Sequence, residues 1–310
     1  MTAQQLTKDR QVSKTRQWEQ AMIKLYVNFR DYSKDALKDF GDEDIHQARV
    51  NSRKLLTLLS ILDPDHSATG ELYSIFKQAQ KRLGKVRDAD VLIKSFRERR
   101  AQAKEDGEAK TAELLKAVLK HQKDKRKVYR KKLETELAQL TGKELDRLWS
   151  DFLAGPLESL TTQRDANVVM RELEVAFEQK KKACKTLFKG PEAESKESLD
   201  ALHELRIAAK ELRYTASAAA FALNQKFHAH EEIYKNIQEQ LGVINDKRVW
   251  LDTLQSIGRD DLGVGKKTWG AFTDSLREEI LEALHHNEVV PVPAAIAERP
   301  KDVALLHDNS

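Results

Sequence analysis

Two short patterns occur twice in this chain, in the same order and at nearly the same separation. His203, Arg206, Lys210 and Leu212 are matched by His46, Arg49, Arg53 and Leu55 at an offset of 157 residues, with Val50 in the place of Ile207. Leu241-Gly242-Val243-Ile244-Asn245-Asp246-Lys247-Arg248-Val249 is matched by Leu83-Gly84-Lys85-Val86-Arg87-Asp88-Ala89-Asp90-Val91 at an offset of 158, sharing Leu, Gly, Asp and Val. Just upstream, Lys77 and Gln80 correspond to Lys235 and Gln238. One such match carries little weight. Two matches, ordered and co-spaced, point to a duplicated unit. The period is far too long for a solenoid, so the chain is expected to fold as two similar halves.

The first pattern is helical. At 3.6 residues per turn, His203, Arg206, Lys210 and Arg213 fall on one narrow stripe. Leu202, Leu205, Ala209, Leu212 and Ala216 form a second stripe beside it. The apolar stripe can pack, which leaves the cations along its border at fixed spacing. A solvated face more often alternates its charges as i,i+4 pairs. For this helix alone a solvated face remains the plain alternative, but a row of cations also suits an extended anion. The copies differ: Leu56 stands where the second copy has Arg213, and Arg87 is answered by Asn245. Unequal contributions from the two halves follow.

Composition favours helices throughout. Of 310 residues, 34% are charged and 6% aromatic, with only 12 Gly and 6 Pro, so strand and hairpin signals are few. Periodicity predicts a first helix over 8–40, with Trp18, Met22, Leu25, Phe29, Tyr32, Ala36 and Phe40 inward and Gly41 closing it. Asp42 or Asp44 is expected to cap the next, 45–62, which ends at Asp63-Pro64. His66 is expected to be exposed in the turn that follows. A helix over 70–83 meets a break or close approach at Gly84, and Asp88 or Asp90 is read as the cap of its continuation. Further helices are expected over 108–140, with Leu114, Val118, His121 and Val128 inward, and over 143–154, 165–188, 197–224, 228–242, 245–257 and 266–286. Gly155-Pro156 divides the halves, 8–155 and 156–287, and 288–310 forms a tail.

The net charge is only +4, but the cations are clustered. Lys116–Lys132 holds nine Lys or Arg against one acid, and Lys77–Arg87 and Lys180–Lys189 hold five each with no acid. Such clusters on separate helices can converge on one cavity. The single cysteine, Cys184, excludes an internal disulfide and suits a reducing compartment; it is read as a buried apolar residue, with a thiol activated by nearby lysines as the other reading. The first ten residues lack the apolar core of a signal peptide, and no run has the length of a spanning helix. A soluble cytoplasmic protein is expected, with no membrane partner.

Three other chemistries compete. The nine histidines form no H-x-x-x-H or Cys/His ligand set, and His46 and His203 have cationic neighbours that oppose a metal. There is no Gly-rich phosphate loop, no G-x-S-x-G and no paired-carboxylate motif; triphosphate hydrolysis would need acids for Mg²⁺, and only Asp88, Asp90 and Asp246 suggest themselves. Nucleic acid is the strongest rival, since its phosphates also attract basic helices. Single-strand recognition favours aromatics interleaved with the cations, and the basic stripes carry only Tyr129 and Tyr214.

The paired H-x-x-R-[VI]-x-x-[RK]-x-L and L-G-x-x-x-D segments resemble the CHAD domain family (conserved histidine α-helical domain), over roughly residues 10–286. The resemblance implies an all-α fold of two pseudo-symmetric four-helix bundles around a basic central cavity. It also implies binding of inorganic polyphosphate, without catalysis and without cofactor or metal. Some related chains join this domain to a triphosphate-cleaving CYTH domain; this one is expected to stand alone. Under that reading Arg49, Arg53, Lys54, Arg206, Lys210 and Arg213 contact the ligand, with His46 and His203 beside them. Lys77, Lys81, Arg87, Arg126, Arg130 and Lys235 form a second tier. The alternatives are an RNA-binding module, or an adaptor bringing other proteins to polyphosphate bodies, with which the chain would then be associated.

Overall fold

The computed structural model describes residues 3–188 and 195–286, with side chains over 11–188 and 195–284. The described residues form ten α-helices and no strand: α1 (Ala3–Asp39), α2 (Asp42–Leu62), α3 (Gly70–Glu105), α4 (Ala109–Leu140), α5 (Lys143–Ala154), α6 (Pro156–Gln163), α7 (Ala166–Leu187), α8 (Lys196–Ala218), α9 (His230–Ile257) and α10 (Lys266–His286). The fold is all-α, as composition and periodicity predict. The tail over 288–310 lies outside the described residues. Among these helices none is long and apolar enough to cross a membrane.

Sequence neighbours pack together, α1 through α4 in one series and α7 through α10 in another, and α2 packs on α8 between the two series. The Gly155-Pro156 junction falls between α5 and α6. Helix α6 returns onto α1 and α5, so the first turns after the junction stay with the helices before it. The α1 stripe is core: Trp18, Met22, Phe29 and Ala36 are buried, with Leu25, Tyr32 and Phe40 packed partly against them. Tyr26, one residue from the predicted stripe, stacks on Trp149 of α5 at 4.3 Å and donates its hydroxyl to Asp146. The main core crosses the molecule, with Trp18 edge-on to Phe221 at 5.1 Å. A second core joins the far ends of α3, α4, α9 and α10, with Phe96 against Trp250 at 4.8 Å.

Several local expectations are corrected. The α1–α2 turn is made by Phe40, whose φ is 58°, and not by Gly41, whose φ is −56°. A left-handed backbone at a bulky residue is strained. Arg130 of α4 offsets that strain: it donates to the Phe40 carbonyl at 3.1 Å and lies 5.2 Å from the ring. No side chain caps α2; Asp42 in its first turn instead pairs with Arg126 at 3.1 Å. His66 is half-buried and stacked on Tyr73 at 3.6 Å.

Neither Gly84 nor Gly242 breaks its helix. Helices α3 and α9 run through them unbroken, so Asp88, Asp90 and Asp246 lie in helix interiors and cap nothing. On α4, His121 and Val128 point outward, while Gln122 is buried and Arg126 half-buried. Leu114 and Val118 are buried as expected; with Leu115 and Leu119 they form the inward face, which continues through Gln122, Arg126 and Leu133. Two polar residues interrupt it, which is why apolar spacing alone misplaces its continuation onto His121 and Val128. Cys184 is fully buried, and burial pushes its thiol up to about 11, so it packs as an apolar group.

The α2–α3 turn is built on one carboxylate. Asp63 accepts from the backbone N–H of Ser67, Ala68 and Thr69 at 3.1, 2.9 and 2.9 Å and from the hydroxyls of Ser67 and Thr69. Burial opposes its charge, but these donors hold its carboxyl below the usual range. A depressed carboxylate contributes stability above its unfolded pKa and loses it as pH falls through the folded one. We predict that Asp63→Asn destabilises the chain by about 2 kcal/mol at neutral pH. The gap should narrow below about pH 4. Denaturant melts at several pH values measure it, and a pH-independent gap would assign the loss to packing.

Candidate functional site

The two duplicated segments are the walls of one cavity. Helices α2 and α8 carry the basic pattern, α3 and α9 carry the Leu-Gly-x-x-x-Asp pattern, and all four border a cavity of about 740 Å³. His46, Arg49 and Lys54 enter from α2, Arg87 and Asp88 from α3, Arg206, Lys210 and Arg213 from α8, and Asn245 and Asp246 from α9. Residues 157 or 158 apart in sequence therefore face one another across a single space.

The glycines explain how the arginines reach it. A Cβ on Gly84 would sit 3.4 Å from Nε of Arg49, and one on Gly242 would sit 3.9 Å from a terminal nitrogen of Arg206. Each bare helix turn is a seat across which the guanidinium of the neighbouring helix lies. This is the close approach that a glycine inside a helix implies.

Arg53 is drawn back from the cavity. Its guanidinium lies 5.1 Å from the Tyr214 ring, and Arg213 lies 5.8 Å from the same ring. Nε of Arg49, Arg53 and Arg206 is buried with no hydrogen-bond acceptor among the described residues. Burial and Arg49 lower the pKa of Arg53. Lys210 yields most: burial, then Arg53, Arg49 and Arg206, push its ammonium down to about 7.

The two histidines differ because the copies differ. His46 borders the cavity, and burial followed by the charge of Arg87 and then Arg49 lowers its pKa, with only Glu43 opposing. At the position of Arg87 the second copy has Asn245, whose Oδ1 lies 3.0 Å from Nδ1 of His203. His203 is exposed and outside the cavity lining.

The second tier mostly stands elsewhere. Lys77 lies 5.8 Å from the Tyr73 ring, Lys81 is exposed, and Lys235 pairs with Glu232 at 3.4 Å. Arg126 pairs with Asp42 and the buried Asp90, and Arg130 clamps Phe40. Of the six, only Arg87 borders the cavity. The lining also includes groups that charge patterning passes over: Tyr214, and the apolar Val91, Leu92, Val249 and Trp250. Val91 and Val249 are matched positions of the repeat, and Leu92 and Trp250 share the offset of 158, so the repeat itself could have indicated them. No group of three or more His, Cys, Asp or Glu among the described residues is placed to hold a metal ion.

The CHAD domain family model matches residues 20–255. The chain belongs to the CHAD domain family. The crystal structure of the CHAD domain from the plant Ricinus communis is similar in fold, with a TM-score of 0.58 at 17% identity, covering 90% of this chain and 94% of that one. A search of curated proteins finds no match. In this CHAD chain the helices carrying the matched basic patterns, α2 and α8, both border the cavity.

Lys210 makes the cluster testable without a ligand. A lysine whose folded pKa lies below its unfolded value of about 10.4 loses its proton on folding between the two values. Stability therefore rises with pH from about 7 to 10.4, and the destabilisation is complete below 7. We predict that Lys210→Met raises the melting temperature, most at pH 6 to 7 and progressively less towards pH 10. An equal shift at every pH would mean that the gain is apolar packing and not relief of charge.

Proposed function

We propose that the chain is a binding module for inorganic polyphosphate, held in the cavity between α2, α3, α8 and α9. The observation that carries this reading is the meeting of Arg49, Arg53, Arg206 and Lys210 at the α2–α8 contact, where Nε of each of the three arginines is buried without an acceptor among the described residues. Unpaired cations in a desolvated cluster are costly, and an anion offsets that cost directly. Arginine forks onto two phosphate oxygens, and lysine supplies a mobile point charge. Lys54, Arg87 and Arg213 extend the cationic wall, and His46 adds charge when protonated.

Binding without catalysis fits the donor set. Asp88, Asp246 and Glu231 border the cavity as separate carboxylates among cations and do not form a set that would hold a divalent ion over a phosphoryl group. RNA remains the second reading, because Tyr214 and Trp250 border the same cavity. Their faces are already engaged: Tyr214 by Arg53 and Arg213, Trp250 by Phe96 and by Lys247 at 5.1 Å. A base would have to displace a cation to stack. An adaptor role at polyphosphate bodies would build on the same binding.

Three outcomes follow. Polyphosphate should bind more tightly than single-stranded RNA of equal charge at matched salt, with affinity falling steeply as salt rises; equal or tighter RNA binding overturns the ranking. Arg49→Glu and Arg206→Glu should each weaken polyphosphate binding by about tenfold or more. The double variant should lose more than either, and wild-type affinity in a double variant folded by circular dichroism removes both residues from the site. Binding at pH 8 should take up close to one proton, since Lys210 is mostly neutral when empty and charged beside a polyanion. Calorimetry in buffers of different ionisation enthalpy measures it, and Lys210→Met should abolish it. Uptake that survives Lys210→Met and disappears in His46→Gln would move the switch to the histidine.

A further inference from the structure

The densest basic run in the sequence, Lys116–Lys132, does not reach the cavity. It lies on α4, and its cations border two adjoining hollows on the outside of the α3–α4 pair, of about 600 and 440 Å³, which share Lys123 and Lys127. Lys94 and Arg97 of α3 border the smaller hollow, and Lys116 and Lys120 the larger.

Two observations bear on what this face could hold. First, of the exposed cations that border the two hollows only Lys116 and Lys127 pair with an acid one turn away, Glu113 at 3.1 Å and Asp124 at 3.3 Å. Lys94, Arg97, Lys120 and Lys123 are exposed and have no carboxylate within ion-pair distance among the described residues. Second, α3 borders both the cavity and the smaller hollow. Arg87 borders the cavity, and Lys94 is seven residues on along α3, which returns to nearly the same side about 10 Å further up the axis. From Lys94 the cations pass to Lys123 on the opposite wall of the same hollow, and from Lys123 to Lys120 in the next.

We propose that this α3–α4 face is a second polyphosphate-binding site, an exit track that holds the part of a long chain emerging from the cavity past Arg87. The inference rests on the cavity reading and adds to it a preference for chain length. A flexible polymer suits the track because its cations are mostly lysines, spread over two helices and two hollows. Tyr129, the aromatic in the run, already lies within 5.6 and 6.0 Å of Lys85 and Lys125, which leaves no free platform for bases.

The test uses the full chain with Lys94→Gln, Lys120→Gln and Lys123→Gln combined. All three are exposed, and none belongs to the cavity, so the fold and the cavity are left intact. Tripolyphosphate, long-chain polyphosphate and single-stranded RNA are titrated against wild type and variant over a range of salt. The expected result is unchanged affinity for tripolyphosphate and about a tenfold or greater loss for the long chain. The slope of log affinity on log salt should fall by about 2 for three lost phosphate contacts. An unchanged long-chain affinity and slope overturns the track, as does an equal loss on tripolyphosphate, which would mean a general effect of net charge. A loss confined to RNA also overturns it and makes the face a nucleic-acid surface. If wild type binds neither polyphosphate, the cavity reading fails and the track falls with it; if wild type binds both and only the track test fails, the cavity reading stands.

Discussion

Four cationic side chains in one partly desolvated cluster are the constraint on which the rest of this molecule depends. Like charges 4 Å apart repel by about 4 kcal/mol at an effective dielectric of about 20. The chain keeps Arg49, Arg53, Arg206 and Lys210 together because the helices carrying them are fixed by something else. The apolar sides of α2 and α8, with Leu55, Leu58, Leu59, Leu205 and Leu212 fully buried, belong to one core that runs through both series of helices. Packing sets the spacing, and the charges accept it. The relief comes at the group that can give up a proton. Arginine cannot at any ordinary pH, so the strain collects on Lys210.

The matched patterns in the two halves support unlike sites. Both copies place a histidine one turn before an arginine, and both seat that arginine on a glycine of the next helix. The one exchange of Arg87 for Asn245 then separates the two histidines. A guanidinium charge faces His46 and disfavours its protonation, whereas a neutral amide oxygen meets His203. The exchange of Leu56 for Arg213 acts in the same direction, since Leu56 is buried while Arg213 borders the cavity and bonds Gln238 at 3.3 Å. The second half thereby supplies three of its stripe cations to the wall, and the first supplies Arg49 and Lys54 together with Arg87 from α3.

The helical fold and the cations of the cavity wall were legible in the sequence, because both rest on periodicity and the repeat. Spacing of 3 and 4 residues places the stripes on α1, α2 and α8, and the repeat pairs α2 with α8 and α3 with α9. What was not legible depends on contacts between distant helices. Nothing local says that Gly84 is spanned by Arg49 and does not interrupt its helix, or that Phe40 takes the left-handed turn because Arg130 holds its carbonyl and ring. Arg126 looks like a free cation in a basic run, yet it pairs with Asp42 and Asp90, 84 and 36 residues away. Charge counting cannot tell a cation that holds two helices together from one that waits for a ligand.

If the cavity holds polyphosphate as proposed, the carboxylates on its wall bear on its selectivity. Asp88 and Asp246 are the shared acids of the repeat, and both face the same space as the arginines. Asp88 favours the charged forms of Arg53 and Lys210, so it steadies the empty cluster. It also repels any anion that enters. For a small ion that meets one or two cations this repulsion is a large fraction of the gain. A polymer would reach the cations of α2, α3 and α8 together, and its attraction would grow with each phosphoryl unit while the acids of the wall, Asp88, Asp246 and Glu231, stay fixed. Release of counterions along its length adds to the same sum. Under that proposal a wall of mixed sign sharpens the preference for chains over single phosphates that any basic wall would have.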